Sequence, residues 1–390
     1  MRGLLTCSVA LLFLLFAVSQ PVEAQDTALR GTLQGLLKEF QQTYGFPGAT
    51  AAVVLADGHS ESVAIGLADV EAAIAMTPES RMLGASIGKT IWGALILSLE
   101  TDGALSRADL VSKHLGDLPW FARLANADSM TVARLVTHSA GLRDHIHMEG
   151  VASALIARGP KAPFDPSMAI SFILDEPAIF EPGSSWAYTD TGYLLLGMVI
   201  EAATGENVFD LARTYFLTPL RLDSTGPSNT TNLAGLAVGY TAKNNPFDLS
   251  VRTMDDHGGL IWNPAIEWTG GGFATTSADL ARWGHALFTG AALEHAYLDR
   301  LLDGIPVHPD APDIYYGCGV AIYRDTPLGR VYGHGGWIPG YVSSLRHYAD
   351  HGVTIAFQIN SDVGVVDNTS DLVPKLEAAL AKALIGSTTF

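Results

Sequence analysis

Apolar residues fall along this chain in two rhythms. Residues 29–44 carry Leu29, Leu33, Leu36, Leu37 and Phe40 on one helical face, and Gly45-Phe46-Pro47-Gly48 closes the segment. Residues 49–55 form a continuous apolar run that predicts a buried strand, with Asp57-Gly58 as a turn and 61–66 as the partner strand. Helical spacing returns over 86–100 through Ile87, Ile91, Leu95, Ile96 and Leu99, and stops at Asp102-Gly103. Further helical segments follow, among them 193–203 and 208–216, separated by Pro and Gly clusters. Strand character reappears late, over 317–323, 331–333, 341–347 and 353–360, and 372–384 reads as a closing amphipathic helix. Strands at both ends with helices between them predict an α+β fold. A sheet lobe of about 27–85 and 255–390 would be built from both ends of the chain, with a mainly helical lobe of about 86–254 inserted. The junction of two such lobes is the expected place for a site.

The first residues change the outline. Arg2, an apolar run over 9–18 and Val22-Glu23-Ala24 have the form of a secretory signal peptide. Residues 1–24 are therefore expected to be removed, leaving 25–390 as the mature domain, exported to a periplasm or secreted. The run is too short to span a bilayer, and no later stretch approaches that length, so no membrane span is expected after cleavage. Cleavage would remove Cys7 and leave Cys318, which excludes an internal disulfide. Cys318 itself, in Tyr316-Gly317-Cys318-Gly319, is expected on a strand as a buried, inert thiol.

Composition narrows the partners. The 390 residues are 48% hydrophobic and 16% charged, which excludes a disordered chain. Forty acidic against 23 basic residues give a formal charge of −17, and nucleic acid or an anionic membrane would need a basic face instead. A small peptide, ester or amide is the expected partner, and neither a cofactor nor a metal is called for. Asp144, His145 and His147 stand close together without a third ligand at suitable spacing, so the histidines are expected on a loop or surface. The sequence does not set the oligomeric state.

The strongest chemical signal is Gly84-Ala85-Ser86-Ile87-Gly88-Lys89. As G-x-S-x-G it could be the nucleophile elbow of an α/β-hydrolase; as S-x-x-K it puts Lys89 one turn after Ser86 on the same helix face. The elbow should follow a buried strand, yet Met76-Thr77-Pro78-Glu79-Ser80-Arg81 comes first. The elbow's oxyanion motif should lie upstream, yet the His-Gly-Gly run is His334-Gly335-Gly336. The elbow also leaves Lys89 without a role. S-x-x-K is therefore favoured, since a serine hydroxyl needs a neighbour to take its proton.

Several segments, in order, extend this signal into a resemblance. Residues 81–89, Leu135-Val136-Thr137-His138-Ser139-Ala140-Gly141-Leu142, residues 182–193 around Tyr188-Thr189-Asp190, residues 270–280 and Gly333-His334-Gly335-Gly336-Trp337 are similar to those of the serine β-lactamase and penicillin-binding-protein superfamily. The chain most resembles the branch that holds class C β-lactamases, D-alanyl-D-alanine carboxypeptidases, D-aminopeptidases and related esterases, over about residues 30–385. The resemblance implies a β-lactamase/transpeptidase-like fold, an antiparallel sheet flanked by helices with an inserted helical lobe. It implies Ser86 as nucleophile, with Lys89 and Tyr188 exchanging its proton. For Tyr188 that requires a phenol shifted down or proton-coupled to Lys89. It implies an oxyanion hole from the Ser86 and Trp337 N–H groups, Gly335 and Gly336 as room for substrate along a strand edge, and His334 at the leaving group or a substrate carboxylate. His138, in the helical-lobe segment, is expected to be structural.

Two positions depart from the family's pattern. Asp190 replaces an asparagine, so a group that donates to a substrate carbonyl becomes an acceptor. A carboxylate beside Lys89 also favours the charged lysine and makes it a poorer base. Tyr188 is then expected to carry more of the proton transfer, with a substrate N–H donor opposite Asp190. His334 replaces the lysine that offers β-lactam carboxylates a permanent charge. The reading is an exported serine hydrolase that cleaves a peptide or amide bond through a Ser86 acyl-enzyme, in the manner of D-amino-acid peptidases and carboxypeptidases. Carboxylesterase, β-lactamase and a catalytically silent peptide or peptidoglycan binder are the alternatives.

Overall fold

The apolar run after Phe46 becomes the interior of a nine-stranded antiparallel sheet. The computed structural model describes residues 19–365 and 368–386, and the apolar run of the expected signal segment lies outside them. β1 (Gly48–Val54) is buried at every position. It pairs with β2 (Ser60–Asp69) on one side and with β12 (Val353–Ile359) on the other, Ala49 opposite Ile359, so the two ends of the chain meet in the middle of the sheet. The remaining strands are β3 (Ile74–Ala75), β7 (Ile305–His308), β8 (Ala311–Tyr316), β9 (Ala321–Tyr323), β10 (Val331–Ile338) and β11 (Tyr341–Tyr348). Their order is β3-β2-β1-β12-β11-β10-β9-β8-β7.

β1 and β12 are buried at every position because both faces of the sheet are covered, although Thr354 and Gln358 alternate with larger apolar residues along β12. Helix α1 (Ser19–Tyr44) and the last helix, α5 (Leu372–Ile385), cover one face, where Leu33, Leu37, Phe357, Leu376 and Leu380 are fully buried. Helix α4 (Ser277–Thr289) packs on β1, β11 and β12 from the other side. Between the outer segments lie α2 (Gly88–Thr101) and α3 (Asp190–Thr204). Trp92, Leu95 and Ile96 of α2 share one core with Tyr193, Leu195 and Leu196 of α3. A small second sheet, β4 (Met82–Leu83), β6 (Phe273–Thr275) and β5 (Gly226–Pro227), ties the start of α2 to the segment before α4.

The structure departs from the sequence pattern in three places. Of 317–323, Ala321–Tyr323 alone is strand; the rest is a bend with Gly319 at φ +71°, so Cys318 sits in a bend and not on a strand. Its thiol is buried, and burial pushes its pKa up to about 11. β7 and β8 escaped notice because Pro306 and Pro312 interrupt their apolar pattern. The helix expected over 208–216 is regular over Val208–Ala212 and then widens into a π turn over Arg213–Leu217. Among the described residues no helix is long and apolar enough to cross a membrane.

Helix α2 passes the Cys318 bend at backbone distance. A Cβ on Gly93 would collide with the Cys318 carbonyl. Gly93→Ala is expected to lose about 1–3 kcal/mol to overpacking, more than the ~1 kcal/mol that helix propensity returns. Equilibrium denaturation checks this; an unchanged midpoint would mean that the bend yields without cost.

Candidate active site

Ser86 sits in a single 3-10 turn, Ala85–Ile87, that leads directly into α2. The turn is held from both sides. The Gly84 N–H donates to the Phe273 carbonyl of β6 at 2.8 Å, and the Ser343 hydroxyl of β11 donates to the Gly84 carbonyl at 2.8 Å. Ala85 takes φ +49°, a left-handed conformation that side chains rarely adopt. Gly336 of β10 lies so close that a Cβ there would meet the Gly84 carbonyl at 2.5 Å and the Ala85 Cβ at 3.1 Å. The absent side chain of Gly336 thus admits the serine turn itself, whereas around Gly335 the nearest atoms stand 3.9 Å from such a Cβ.

One helical turn on, Lys89 is fully buried. Its ammonium donates to Ser86 Oγ at 3.1 Å, to Asp190 Oδ1 at 2.5 Å and to the Gly270 carbonyl. An ammonium has three protons, and here each has an acceptor. Asp190 opens α3, where the helix dipole favours a carboxylate. The Gly270 carbonyl is presented by a segment clamped to both helices. Trp92 Nε1 of α2 donates to the Gly271 carbonyl at 3.1 Å, and Thr269 Oγ1 donates to the Tyr193 carbonyl of α3 at 2.7 Å.

Tyr188 lies with its ring centroid 4.8 Å from Lys89 Nζ. Its hydroxyl is buried and, among the described residues, has no hydrogen bond of normal geometry. Burial first, and the Asp190 carboxylate second, hold the phenol well above its ordinary value, with the nearby Ser86 hydroxyl acting the other way. The downward shift that base chemistry at Tyr188 requires is therefore not what its surroundings produce; at rest it is a neutral phenol. His138 backs it, with ring centroids 4.3 Å apart, φ +56° and Nδ1 accepting the Thr189 N–H at 3.2 Å. Burial, reinforced by the Lys89 charge, pushes the His138 imidazole well down.

His334 is buried, and both of its ring nitrogens are engaged. Nδ1 lies 2.5 Å from the Gly335 carbonyl, which only accepts, so Nδ1 carries the proton. Nε2 then accepts from the Tyr316 hydroxyl at 2.9 Å. Burial, aided by the Lys89 charge, lowers the imidazole to about 3, so it is neutral. His334 thus has internal partners at both ring nitrogens. Its partner Tyr316, on β8, carried no signal in the sequence. β9 pairs only with Val331, Tyr332 and Gly333 of β10, so the following stretch of β10, including Trp337, lies beside the Ser86 turn.

A cavity of about 150 Å³ opens beside Ser86; an apolar cavity of roughly that size accommodates benzene. Ser86, Asp190 and Trp337 line it with Phe247, Trp262 and Glu267. Among the described residues its lining includes no Lys or Arg. Glu267 was not anticipated, since a single carboxylate before a Gly-rich stretch has no distinguishing pattern. Burial raises its carboxyl to about 7, partly offset by the Gly272 N–H (2.9 Å) and the Lys89 charge. Asp144 is raised to about 6 by burial and by Asp190. His145 is buried rather than on the surface, its Nδ1 2.9 Å from Thr191 Oγ1, while His147 is exposed. Asp190 and Glu267 thus both feel the Lys89 charge, and Asp144 feels that of Asp190.

The beta-lactamase family model matches residues 33–380. A D-aminopeptidase of Brucella anthropi is 25% identical over 334 residues, covering 85% of this chain and 59% of that protein. A penicillin-binding protein of Bacillus subtilis (strain 168) is 25% identical over 288 residues, covering 71% of this chain and 60% of that protein. The chain thus spans about three fifths of the length of these curated relatives. Among solved structures, D-amino acid amidase from Ochrobactrum anthropi SV3, complexed with L-phenylalanine, superposes with a TM-score of 0.77 at 23% identity, over 92% of this chain and 99% of that one. A D-stereospecific amidohydrolase from Streptomyces sp. gives 0.73 at 24% identity, over 85% and 94%. These structures share the β-lactamase/transpeptidase-like fold.

The raised Glu267 carboxyl couples stability to pH. Its folded value of about 7 lies above the ordinary 4.5, so the folded state holds the proton more tightly. The stabilisation is complete below 4.5 and is lost as pH rises through 7. Glu267→Gln removes this loss. The variant is expected to gain on the wild type by about 1 kcal/mol or more between pH 4.5 and 8, read from thermal midpoints across that range. A constant difference would show that the carboxyl does not titrate there.

Proposed function

The chain belongs to the beta-lactamase family, and we propose that it is an exported serine hydrolase that cleaves an amide bond through a Ser86 acyl-enzyme. The observation that carries this reading is the placement of Ser86 Oγ 3.1 Å from the Lys89 ammonium, at the mouth of an apolar cavity. The reacting carbonyl would lie between Ser86 and β10, its oxygen held by the Ser86 and Trp337 N–H groups, where each donor contributes on the order of 3 kcal/mol. Tyr188, a neutral phenol, is suited to protonate the leaving amine.

The electrostatics choose among substrates. Asp190 and Glu267 face the cavity, and His334 is neutral. A β-lactam or a peptide C-terminus presents a carboxylate, which this lining would repel. A free amine next to an apolar side chain would be attracted. This supports an aminopeptidase or amino-acid amidase activity over a carboxypeptidase or β-lactamase. The names of the relatives, D-aminopeptidase and D-amino acid amidase, point the same way. A carboxylesterase is the second reading, favoured by the charge pairing of Lys89: a weakly activated serine suffices for esters, whose leaving groups need less protonation. The silent-binder alternative gives no reason for a serine hydroxyl held against a buried lysine.

The test is a panel of D- and L-phenylalanine amide, p-nitrophenyl esters and nitrocefin. The amides and esters should turn over, nitrocefin least, and Ser86→Ala should lose on the order of 10³-fold or more. Mass spectrometry during ester turnover should catch the acyl group on the peptide that holds Ser86. Turnover that survives Ser86→Ala would overturn the reading.

A further inference from the structure

The resting site holds no free base for the Ser86 proton. All three Lys89 protons are engaged, one of them on Ser86 Oγ itself, so the lysine donates to the serine and does not accept from it. Tyr188 is a buried phenol held neutral by burial and by the Asp190 charge. The remaining acceptor in direct contact with the lysine is the Asp190 carboxylate, 2.5 Å from Nζ.

We propose that Asp190 is the terminal proton acceptor of a Ser86–Lys89–Asp190 relay that is armed when substrate covers the cavity. This rests on the serine-hydrolase reading above. As Ser86 attacks, an N–H bond of Lys89 breaks and its proton forms an O–H bond on Asp190. The nitrogen lone pair so released takes the Oγ–H proton, and Oγ forms its bond to the substrate carbonyl carbon. The carbonyl π pair moves onto oxygen. On collapse the oxyanion pair re-forms the carbonyl, the carbon–nitrogen bond breaks, the leaving nitrogen takes a proton from the Lys89 ammonium, and Asp190 returns its own to Lys89. The sum is balanced, and no outside reagent enters.

Geometry supplies the trigger. The Lys89 side chain is 0% exposed, but that of Asp190 is 29% exposed and lines the cavity. In the open site water reaches Asp190. An apolar substrate group displaces that water, and desolvating an ion pair favours its neutral form, an amine beside a carboxylic acid. Asp144 and Glu267 lie near enough to feel the pair: the Asp190 charge helps to raise both of their carboxyls. The Gly270 carbonyl keeps the amine oriented throughout. An asparagine at position 190 could hold Lys89 but could not take its proton.

The experiment compares wild type, Asp190→Asn, Asp190→Glu and Ser86→Ala on a p-nitrophenyl ester and on D-phenylalanine amide. Circular dichroism and thermal midpoints confirm folding. The expected result is a fall in kcat of ~100-fold or more in Asp190→Asn, with KM little changed and partial recovery in Asp190→Glu. Wild-type kcat measured across H₂O–D₂O mixtures should follow a bowed curve, the mark of more than one proton in flight, and this measurement needs no variant. Asp190→Asn retaining kcat within about threefold, a loss confined to KM, or a linear wild-type proton inventory would each overturn the relay. Ser86→Ala separates the two claims: serine-dependent turnover with a linear inventory removes the relay alone, whereas turnover independent of Ser86 removes the hydrolase reading with it.

Discussion

The Lys89 ammonium has no contact with water, and removing such a charge from solvent costs several kcal/mol unless it is paired and fully hydrogen-bonded. Its three acceptors come from three separate parts of the chain: Ser86 at the start of α2, Asp190 at the start of α3, and the carbonyl of Gly270. The inner helices and the segment before β6 must therefore meet at one point. Trp92 and Thr269 hold that segment against both helices, so the carbonyl is in place before any substrate arrives.

The same charge sets the state of the groups around it. His138 and His334 are buried beside an ammonium, and burial and charge act together to keep both imidazoles neutral. Tyr188 is buried beside a carboxylate, and it keeps its proton. Neutral rings can pack closely without mutual repulsion, as the 4.3 Å separation of His138 and Tyr188 shows. The hydrogen bonds of His334 to Tyr316 and Gly335 then fix its tautomer. Among the described residues, two acidic side chains, Asp190 and Glu267, face the cavity from an otherwise largely apolar wall without Lys or Arg.

Close backbone approach is the other half of the arrangement. Gly336 lets β10 lie against the serine turn, Gly88 lets the start of α2 lie against Gly271, and Gly93 lets α2 pass the Cys318 bend. Each is a contact that a methyl group would break. The serine turn is thus wedged between the large sheet and the small one, and the left-handed Ala85 persists because both neighbours hold it.

Much of this was legible in the chain. A buried-strand pattern marked β1, a β-rich, turn-bounded segment marked β12, and helical spacing marked α2 and α3. The Ser86–Lys89 spacing put two groups on one helix face, since that geometry is local. Tyr188 and Asp190 were legible as candidates through the motif resemblance. Other features were not. β7, at the sheet edge, and β8 beside it were hidden because Pro306 and Pro312 and their polar neighbours interrupt the apolar pattern. Glu267, Tyr316 and the burial of His145 had no signal, because a residue's surroundings depend on segments far away in sequence. Local periodicity therefore determined the elements and the serine–lysine pair. The protonation states and the charge of the cavity were decided by tertiary structure alone, since burial and charge pairing arise only when distant segments converge.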